Sequence, residues 1–263
     1  MGKLYVIKIG GNIIDDEAKL SSFLRSFAAI EGQKILVHGG GKVATKIGDQ
    51  LGIESKYIDG RRITDAATID LVTMVYAGLI NKKMVAQLQP LNCNAIGVTG
   101  ADGNLIPANK RPVKDIDYGF VGDVTSENLV SSNWNNLLEA GFTLVVAPIT
   151  HDGKGQLLNT NADTIAQEIA KVLSGTYDVN LIYSFEKAGV LLDIDDESST
   201  IKKLDNNYYN ELKKEGKIFA GMLPKLDNAF SALKSGVKKV IIGNAEHLSE
   251  LITGSSGTTI IND

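Results

Sequence analysis

The stretch LYVIKIGG at residues 4–11 decides the class of fold that this sequence predicts. Its first six residues are apolar or β-branched at most positions and predict a strand, which the two glycines end. A helical pattern follows, because Leu20, Phe23, Leu24 and Phe27 fall on one face. The same order of strand, glycine and helix recurs along most of the chain. It predicts an α/β fold, a three-layer α/β/α sandwich with a central, mainly parallel sheet.

The rest of the chain extends this pattern. Further strands are predicted at residues 34–37, 95–98, 144–149, 240–242 and 258–261, with one more through Tyr183. Helices are predicted across residues 43–51, 71–79, 161–173 and 226–233, and a turn-rich stretch or hairpin at residues 99–123. The order of strand, glycine and helix starts again near residue 179. We therefore predict two lobes, residues 1–175 and 176–263, that share one continuous sheet.

Composition limits the classes of function. The chain has 263 residues, of which 22% are charged, and a net charge of −4 with no basic run, which argues against a nucleic-acid surface. The single cysteine, Cys93, excludes an internal disulfide or a cysteine metal cluster and fits a reducing cytosol. No apolar stretch approaches the roughly 20 residues that span a bilayer. The sequence predicts a cytoplasmic protein that binds neither nucleic acid nor membrane.

Two glycine loops follow neighbouring predicted strands. KIGGN at residues 8–12 would expose backbone N–H groups at the start of a helix, where phosphate oxygens bind well. Lys8 would lie beside the same N–H groups. Taken alone, the motif is equally consistent with a phosphate-binding loop and with a tight turn beside a surface lysine. HGGG at residues 38–41 follows the next strand. Ligands of open α/β sheets bind at the carboxyl ends of strands, so two adjacent loops suggest two substrates. His38 is either a base or, as we favour, a structural histidine that supports the loop.

Two further motifs lie at predicted helix starts. NTNAD at residues 159–163 places amides and a carboxylate in one spot, although Asn161 or Asp163 could also be a simple helix cap. GMLPK at residues 221–225 places Pro224 in a first helical turn, with Lys225 beside it. A lysine at the positive end of a helix dipole is electrostatically unfavourable. That position therefore suggests a function for Lys225.

Together these motifs resemble the amino acid kinase family along essentially the whole chain, and within it the enzymes that phosphorylate N-acylated glutamate. Each motif alone is weak, but their order and spacing make the match specific. The matching motifs are KIGG at residues 8–11, HGGG at 38–41, GRR at 60–62, NTNAD at 159–163 and GMLPK at 221–225. The resemblance implies ATP with Mg²⁺ as phosphoryl donor, the side-chain carboxylate as acceptor, and a homodimer.

The resemblance also implies roles for individual residues. Lys8 and Lys225 would stabilise the transferred phosphoryl group, and Asp163 would hold both lysines in place. The N-acylglutamate would be bound by Gly40, Gly41, Arg62 and Asn159. The nucleotide would be bound by Gly10, Gly11, Glu186, Lys187, Gly189, Leu191, Lys217 and Phe219. No protein metal ligand is implied.

Two positions depart from the family pattern. The loop at residues 185–189 stands where the family usually has a Ser/Thr-Asp pair before its glycine, and Arg61 stands where leucine is common. Arg61 would either turn outward and pair with Asp59, Asp65 or Asp70, or face an acyl group that ends in its own carboxylate, such as succinyl.

Two alternative classes of function remain open at this stage. One is a sister kinase that acts on N-succinylglutamate, aminoadipate, aspartate, carbamate or a nucleotide, since specificity within a fold depends on few residues. The other is a non-catalytic, amino-acid-sensing domain of kinase-like fold. The presence of both Lys8 and Lys225 argues against the second class.

Overall fold

The computed structural model describes residues 1–58, 60–218 and 222–262. Its strands are β1 (Lys3–Ile9), β2 (Gln33–His38), β3 (Tyr57–Ile58), β4 (Arg61–Arg62), β5 (Ala95–Val98), β6 (Asn109–Lys110), β7 (Gly122–Asp123), β8 (Thr143–Val146), β9 (Ile149–His151), β10 (Leu157–Asn159), β11 (Asp178–Phe185), β12 (Lys203–Leu204), β13 (Lys239–Asn244) and β14 (Thr258–Ile260).

The α-helices are α1 (Gly11–Ile14), α2 (Glu17–Ala28), α3 (Gly41–Gln50), α4 (Ala66–Val72), α5 (Asn81–Leu88), α6 (Ser131–Glu139), α7 (Ala162–Leu173), α8 (Asn206–Lys214), α9 (Leu223–Lys234) and α10 (Leu248–Thr253). A π-helical segment, Thr73–Ile80, joins α4 to α5 without a break. None of the described helices is both long enough and apolar enough to cross a lipid bilayer.

The central sheet has eight strands in the order β12-β14-β13-β11-β1-β2-β8-β5. Neighbouring strands are parallel except β13 and β14, which are antiparallel. Apolar side chains alternate between its two faces: in β2, Ile35 and Val37 join one buried cluster and Leu36 joins the other. Helices α6, α7, α8 and α9 cover the first face, and α2, α4, α5 and α10 the second. The predicted three-layer α/β/α sandwich is confirmed.

The structure corrects the prediction of one strand at residues 144–149. The chain leaves the central sheet after Val146, and Ile149 starts β9, which pairs antiparallel with β10. Pro148 lies between the two strands and has no backbone N–H, so it cannot donate to a sheet ladder. The break matters for the site, because the β9-β10 pair carries Asn159 towards α7.

The helix predicted across residues 43–51 is confirmed as α3, and Val43 and Ile47 of its apolar pattern pack partly buried against the core. Ala44 and Gly48 are the buried residues of α3, whereas Leu51 is 58% exposed. A Cβ at Gly48 would lie 2.8 Å from both the Ile53 carbonyl oxygen and the Leu71 side chain. The closest contacts of the helix are thus made at small residues, with Val43 and Ile47 packed beside them.

Candidate active site

The carboxyl ends of β1, β2 and β11 meet at one edge of the sheet. The register of β1 with β2 places Ile9 opposite His38, so the two glycine loops lie side by side, as predicted. On the other side of β1, the Gly10 amide donates to the Ser184 carbonyl oxygen at 3.0 Å. This edge therefore brings together loops from both predicted lobes.

Asp163 is positioned by the cap of α7. The Asn161 side chain accepts hydrogen bonds from the Asp163 amide at 2.8 Å and the Thr164 amide at 3.2 Å. The prediction of Asn161 as a helix cap is confirmed. Because the cap fixes the first turn of α7, the Asp163 side chain is directed to the edge where β1 ends.

Asp163 joins two lysines that are distant in sequence. Its Oδ1 lies 2.8 Å from Nζ of Lys8, on β1, and its Oδ2 lies 2.5 Å from Nζ of Lys225, in the first turn of α9. Burial raises the pKa of the Asp163 carboxyl, but the two ammoniums outweigh burial and bring that pKa below its usual range. The carboxylate is therefore ionised at any working pH, and the cluster carries one net positive charge.

A cavity of about 360 Å³ opens beside this cluster. Its walls include five residues that the sequence assigned to catalysis or substrate binding: Gly41, Arg62, Asn159, Asp163 and Lys225. Asn159 is oriented by a hydrogen bond from its Nδ2 to the Thr64 hydroxyl at 3.1 Å. The cavity thus combines an ammonium, a guanidinium, an amide and a glycine loop, which are groups that bind carboxylates.

Arg62 is held by Gly41 and by three residues that the sequence did not single out, Thr45, Ser55 and Tyr57. Its Nη2 donates to the Gly41 carbonyl oxygen at 2.8 Å and to the Thr45 hydroxyl at 3.0 Å, and its Nη1 donates to the Ser55 hydroxyl. Its guanidinium carbon lies 4.8 Å from the centre of the Tyr57 ring. These contacts fix the plane of the guanidinium, as bidentate binding of a carboxylate requires.

Gly40 supports the site without lining either cavity described in this section. Its φ of +146° lies outside the range that other residues adopt easily. A Cβ at this position would collide with Tyr76 and Ile80 of the π-helical segment. Gly40 therefore allows the loop to pass beneath that segment, and any direct contact of Gly40 with substrate stays a prediction.

His38 is a structural residue, as favoured from the sequence. It is fully buried; its Nδ1 lies 2.8 Å from the Gly39 carbonyl oxygen, and its Nε2 lies 3.2 Å from Nδ2 of Asn81. Since a carbonyl and an amide NH₂ allow only one assignment, Nδ1 donates and Nε2 accepts. Burial lowers the pKa of His38 to about 4, so the ring is neutral and holds the glycine loop by its backbone.

This burial predicts a pH-dependent stability. The pKa of His38 is about 4 in the fold and 6.5 as the ordinary value, so its contribution is fully present above pH 6.5 and is lost as the pH falls towards 4. The loss is about 3 kcal/mol. We expect urea unfolding of His38→Gln to show a shallower decline in stability over this interval than the wild type. His247→Gln, at a half-exposed histidine, should keep the wild-type decline, and an unchanged slope in His38→Gln would contradict the assignment.

A second, larger cavity of about 740 Å³ lies at the same edge. Its walls are mainly apolar and include five residues predicted for the nucleotide: Glu186, Lys187, Gly189, Leu191 and Lys217. Phe219, also predicted, lies outside the described residues. Gly10 and Gly11 do not line this cavity; Gly10 abuts Phe185, and Gly11 starts the four-residue α1. Their part in nucleotide binding stays a prediction.

Lys225 lines both cavities. The two cavities therefore adjoin at Lys225, where a group could pass from a ligand in one cavity to a ligand in the other. Lys8 lines neither of these two cavities and is linked to Lys225 through Asp163. The sequence profile of the amino acid kinase family matches residues 3–244. The chain belongs to the amino acid kinase family.

This amino acid kinase family member is similar to curated proteins along their whole length. It is 56% identical to acetylglutamate kinase from Cytophaga hutchinsonii over 264 residues, covering 99% of each chain. It is 54% identical to acetylglutamate kinase from Bacteroides fragilis, covering 98% of this chain and 97% of that protein. Among solved structures, N-acetylglutamate synthase from Neisseria gonorrhoeae aligns with a TM-score of 0.82 at 20% identity, over 100% of this chain and 60% of that one. The last match shows the fold alone.

Proposed function

We propose that this chain is an acetylglutamate kinase. It transfers the γ-phosphoryl group of ATP to the side-chain carboxylate of N-acetyl-L-glutamate and forms N-acetylglutamyl 5-phosphate, a step of arginine and ornithine biosynthesis. The observation that carries the proposal is the position of Lys225, which lines both cavities and bonds to Asp163, itself paired with Lys8. The full-length identity to acetylglutamate kinases supports the choice of substrate.

The nucleophile needs no general base. A glutamate side chain has a reference pKa of about 4.3, so its carboxylate is ionised at neutral pH. An oxygen of this carboxylate attacks the γ-phosphorus, the bond from that phosphorus to the bridging oxygen breaks, and ADP leaves with the electron pair. The barrier is the repulsion between the carboxylate and the triphosphate. Lys8 and Lys225 reduce it because their charges face the group in transfer.

Asp163 acts through the lysines. With no phosphate present, two ammoniums so close together repel each other, and the carboxylate between them offsets that repulsion. Each of its oxygens contacts one lysine, so both ammoniums keep a fixed position before substrate binds. This preorganisation avoids reorienting the lysines during the transfer itself.

The larger cavity suits the nucleotide. Its apolar walls, which include Phe185, Val190 and Ile218, would cover a purine. Lys187, and Lys217 on exchanging its ion pair with Glu215, would offer charge to phosphates. Mg²⁺ commonly binds through substrate phosphates and water, with few protein ligands. In the described residues, no group of three or more His, Cys, Asp or Glu could hold a metal ion. A magnesium ion carried by the triphosphate would fit these residues and would neutralise phosphate charge.

The proposed function is tested by a single assay. The purified chain is incubated with ATP, Mg²⁺, N-acetyl-L-glutamate and hydroxylamine, which traps an acyl phosphate as a hydroxamate. We expect hydroxamate to form only with all components present. Reactions with aspartate, aminoadipate or carbamate in place of N-acetylglutamate distinguish the sister kinases, and absence of hydroxamate with every acceptor would favour a sensing domain.

Arg62 is predicted to bind the α-carboxylate of the substrate. Because the fixed guanidinium can form a bidentate pair that an ammonium cannot, we expect Arg62→Lys to raise KM for N-acetylglutamate by about tenfold or more and to leave KM for ATP nearly unchanged. Steady-state kinetics with each substrate varied in turn measure both values. Equal losses for the two substrates would show that Arg62 serves mainly the loop contacts with Gly41 and Thr45.

Two parts of the sequence prediction extend this proposal. The N-terminal lobe, residues 1–175, would bind the N-acylglutamate and form the dimer interface, and the C-terminal lobe, residues 176–263, would bind ATP. The larger cavity supports the nucleotide assignment, since it draws its walls from residues 185 onward. The smaller cavity is lined mainly by residues of the N-terminal lobe, with Pro224, Lys225 and Asn228 from the C-terminal lobe. Light scattering of the purified chain tests the homodimer directly, and a monomer mass would refute it.

A further inference from the structure

Thr64 is a fully buried threonine that connects two residues of the smaller cavity, Arg62 and Asn159. It comes two positions after Arg62, the last residue of β4. Its hydroxyl donates to the Arg62 carbonyl oxygen at 3.2 Å and accepts from Nδ2 of Asn159 at 3.1 Å. Thr64 itself lines neither of the two cavities. Any effect of its hydroxyl on a ligand therefore passes through its two partners.

The main chain of Thr64 is fixed independently of the hydroxyl. Its amide donates to the Tyr118 carbonyl oxygen at 2.9 Å, and its carbonyl oxygen accepts from the Phe120 amide at 2.7 Å. The Asn159 amide donates to the Phe120 carbonyl oxygen at 2.9 Å, so both residues are held by one segment. A Cβ at Gly119 would lie 2.2 Å from the Thr64 carbonyl oxygen, so glycine permits this contact. A substitution that keeps the shape of the Thr64 side chain should therefore keep the fold.

The hydroxyl of Thr64 determines which way round the Asn159 carboxamide lies. A carbonyl oxygen only accepts, so the single hydroxyl proton of Thr64 goes to the Arg62 carbonyl oxygen. The lone pairs that remain on the hydroxyl can only accept, so the group of Asn159 that faces them is the NH₂. With the carboxamide reversed, two carbonyl oxygens would compete for one proton. The Asn159 oxygen is consequently turned away from Thr64.

A fixed carboxamide matters for binding because its two ends offer opposite interactions. The NH₂ end donates and the oxygen end accepts, and a rotation that reverses the group exchanges them. A side chain that is free to adopt both orientations must be ordered when a ligand binds, which lowers the affinity. The Thr64 hydroxyl removes this choice before the ligand arrives. It does so for a residue that lines the same cavity as Arg62.

We propose that Thr64 is a positioning residue for the N-acylglutamate, because its hydroxyl holds the Asn159 carboxamide in one orientation. This inference rests on the proposed kinase function and deepens it at the same site. Thr64 serves the binding of the amino-acid substrate and takes no part in the phosphoryl transfer. Loss of the hydroxyl therefore raises KM for N-acetylglutamate, whereas kcat and KM for ATP stay close to the wild-type values.

The test replaces Thr64 by valine, which keeps the shape of the side chain and removes the hydroxyl. We expect Thr64→Val to raise KM for N-acetylglutamate by about 3- to 10-fold, the loss in affinity that corresponds to one neutral hydrogen bond. We expect kcat and KM for ATP to change by less than about twofold. Thr64→Ser keeps the hydroxyl and should restore the wild-type KM. Circular dichroism confirms folding, and Thr64→Ala replaces Thr64→Val if the valine variant does not fold.

Thr258→Val is the matched control. Thr258 is also fully buried, and its hydroxyl donates to the Ile201 carbonyl oxygen at 2.6 Å and accepts from the Val190 amide at 2.8 Å. The two threonines therefore have the same kinds of partner. Thr258 lies on β14, however, and neither of its partners lines the smaller cavity. We expect Thr258→Val to have the wild-type KM for N-acetylglutamate.

A double variant separates positioning from a general structural role. If Thr64 acts through Asn159, adding Thr64→Val to Asn159→Ala should raise KM for N-acetylglutamate by less than about twofold further. Multiplied losses in the double variant overturn the inference. So does an unchanged KM in Thr64→Val, an equal rise for both substrates, or a Thr64→Ser variant that behaves like Thr64→Val, and each of these leaves the kinase function standing. A wild type that forms no hydroxamate with any acceptor overturns both proposals.

Discussion

Replacing Lys8 by alanine is expected to lower kcat by on the order of 10³-fold with only a modest change in KM for either substrate. The Lys8 ammonium lies 2.8 Å from Oδ1 of Asp163, whose other carboxylate oxygen contacts Lys225, the residue that lines both cavities. We therefore expect its charge to act on the phosphoryl group in transfer more than on either bound substrate. An interaction made mainly in the transition state affects kcat rather than KM. Steady-state kinetics with both substrates, at saturating concentrations of the other, measure the effect.

The matched control is Lys19→Ala. Lys19 lies on α2, pairs with Glu246 and is about half exposed, so it has a carboxylate partner without access to the site. Exposed pairs of this kind contribute little to stability, and we expect the wild-type kcat. A normal kcat in Lys8→Ala would refute the catalytic role, and a large rise in KM for ATP alone would reassign Lys8 to nucleotide binding.

The features that the sequence predicted correctly follow from a local residue pattern or from one rule of sheet topology. The glycines after β1 and β2 predicted two loops at one edge, because parallel neighbouring strands end on the same side of a sheet, and the register of Ile9 with His38 confirms it. Asn161 predicted the start of α7 because a side-chain oxygen at that position accepts from the free amides of the first turn. Both features depend on neighbours in sequence or on adjacent strands.

The remaining features depend on packing between distant parts of the chain. Thr45, Ser55 and Tyr57 hold Arg62, but short polar residues in loops and on a helix form no motif. The antiparallel direction of β14 follows from the path of the chain after α10, which no periodicity encodes. The grouping of Lys8, Asp163 and Lys225 came from the family resemblance, since 62 residues separate Lys225 from Asp163. The break at Pro148, in contrast, could have been predicted from the missing N–H.

Replacing Asp163 by asparagine is expected to lower kcat by on the order of 10²- to 10³-fold, because the two lysines then lose the charge that fixes them. Asparagine offers one oxygen to one ammonium and turns its NH₂ towards the other, so the two cations repel and separate. The free energy of unfolding should fall by on the order of 3 kcal/mol, the usual effect of removing one partner of a largely buried ion pair. Kinetics and urea unfolding are measured on the same preparation, at a temperature where the variant is folded.

The control and a double variant make this prediction specific. Asp227 lies on α9, the helix that carries Lys225, and pairs with Lys213 on α8. Because this pair is half exposed, we expect Asp227→Asn to leave kcat unchanged and to lower stability by less than about 1 kcal/mol. If Asp163 acts mainly by offsetting the repulsion between the two lysines, Lys8→Ala combined with Asp163→Asn should have a kcat close to that of Lys8→Ala alone. Fully additive losses would instead mean that Asp163 acts independently of Lys8, either by positioning Lys225 or by contacting the reacting groups.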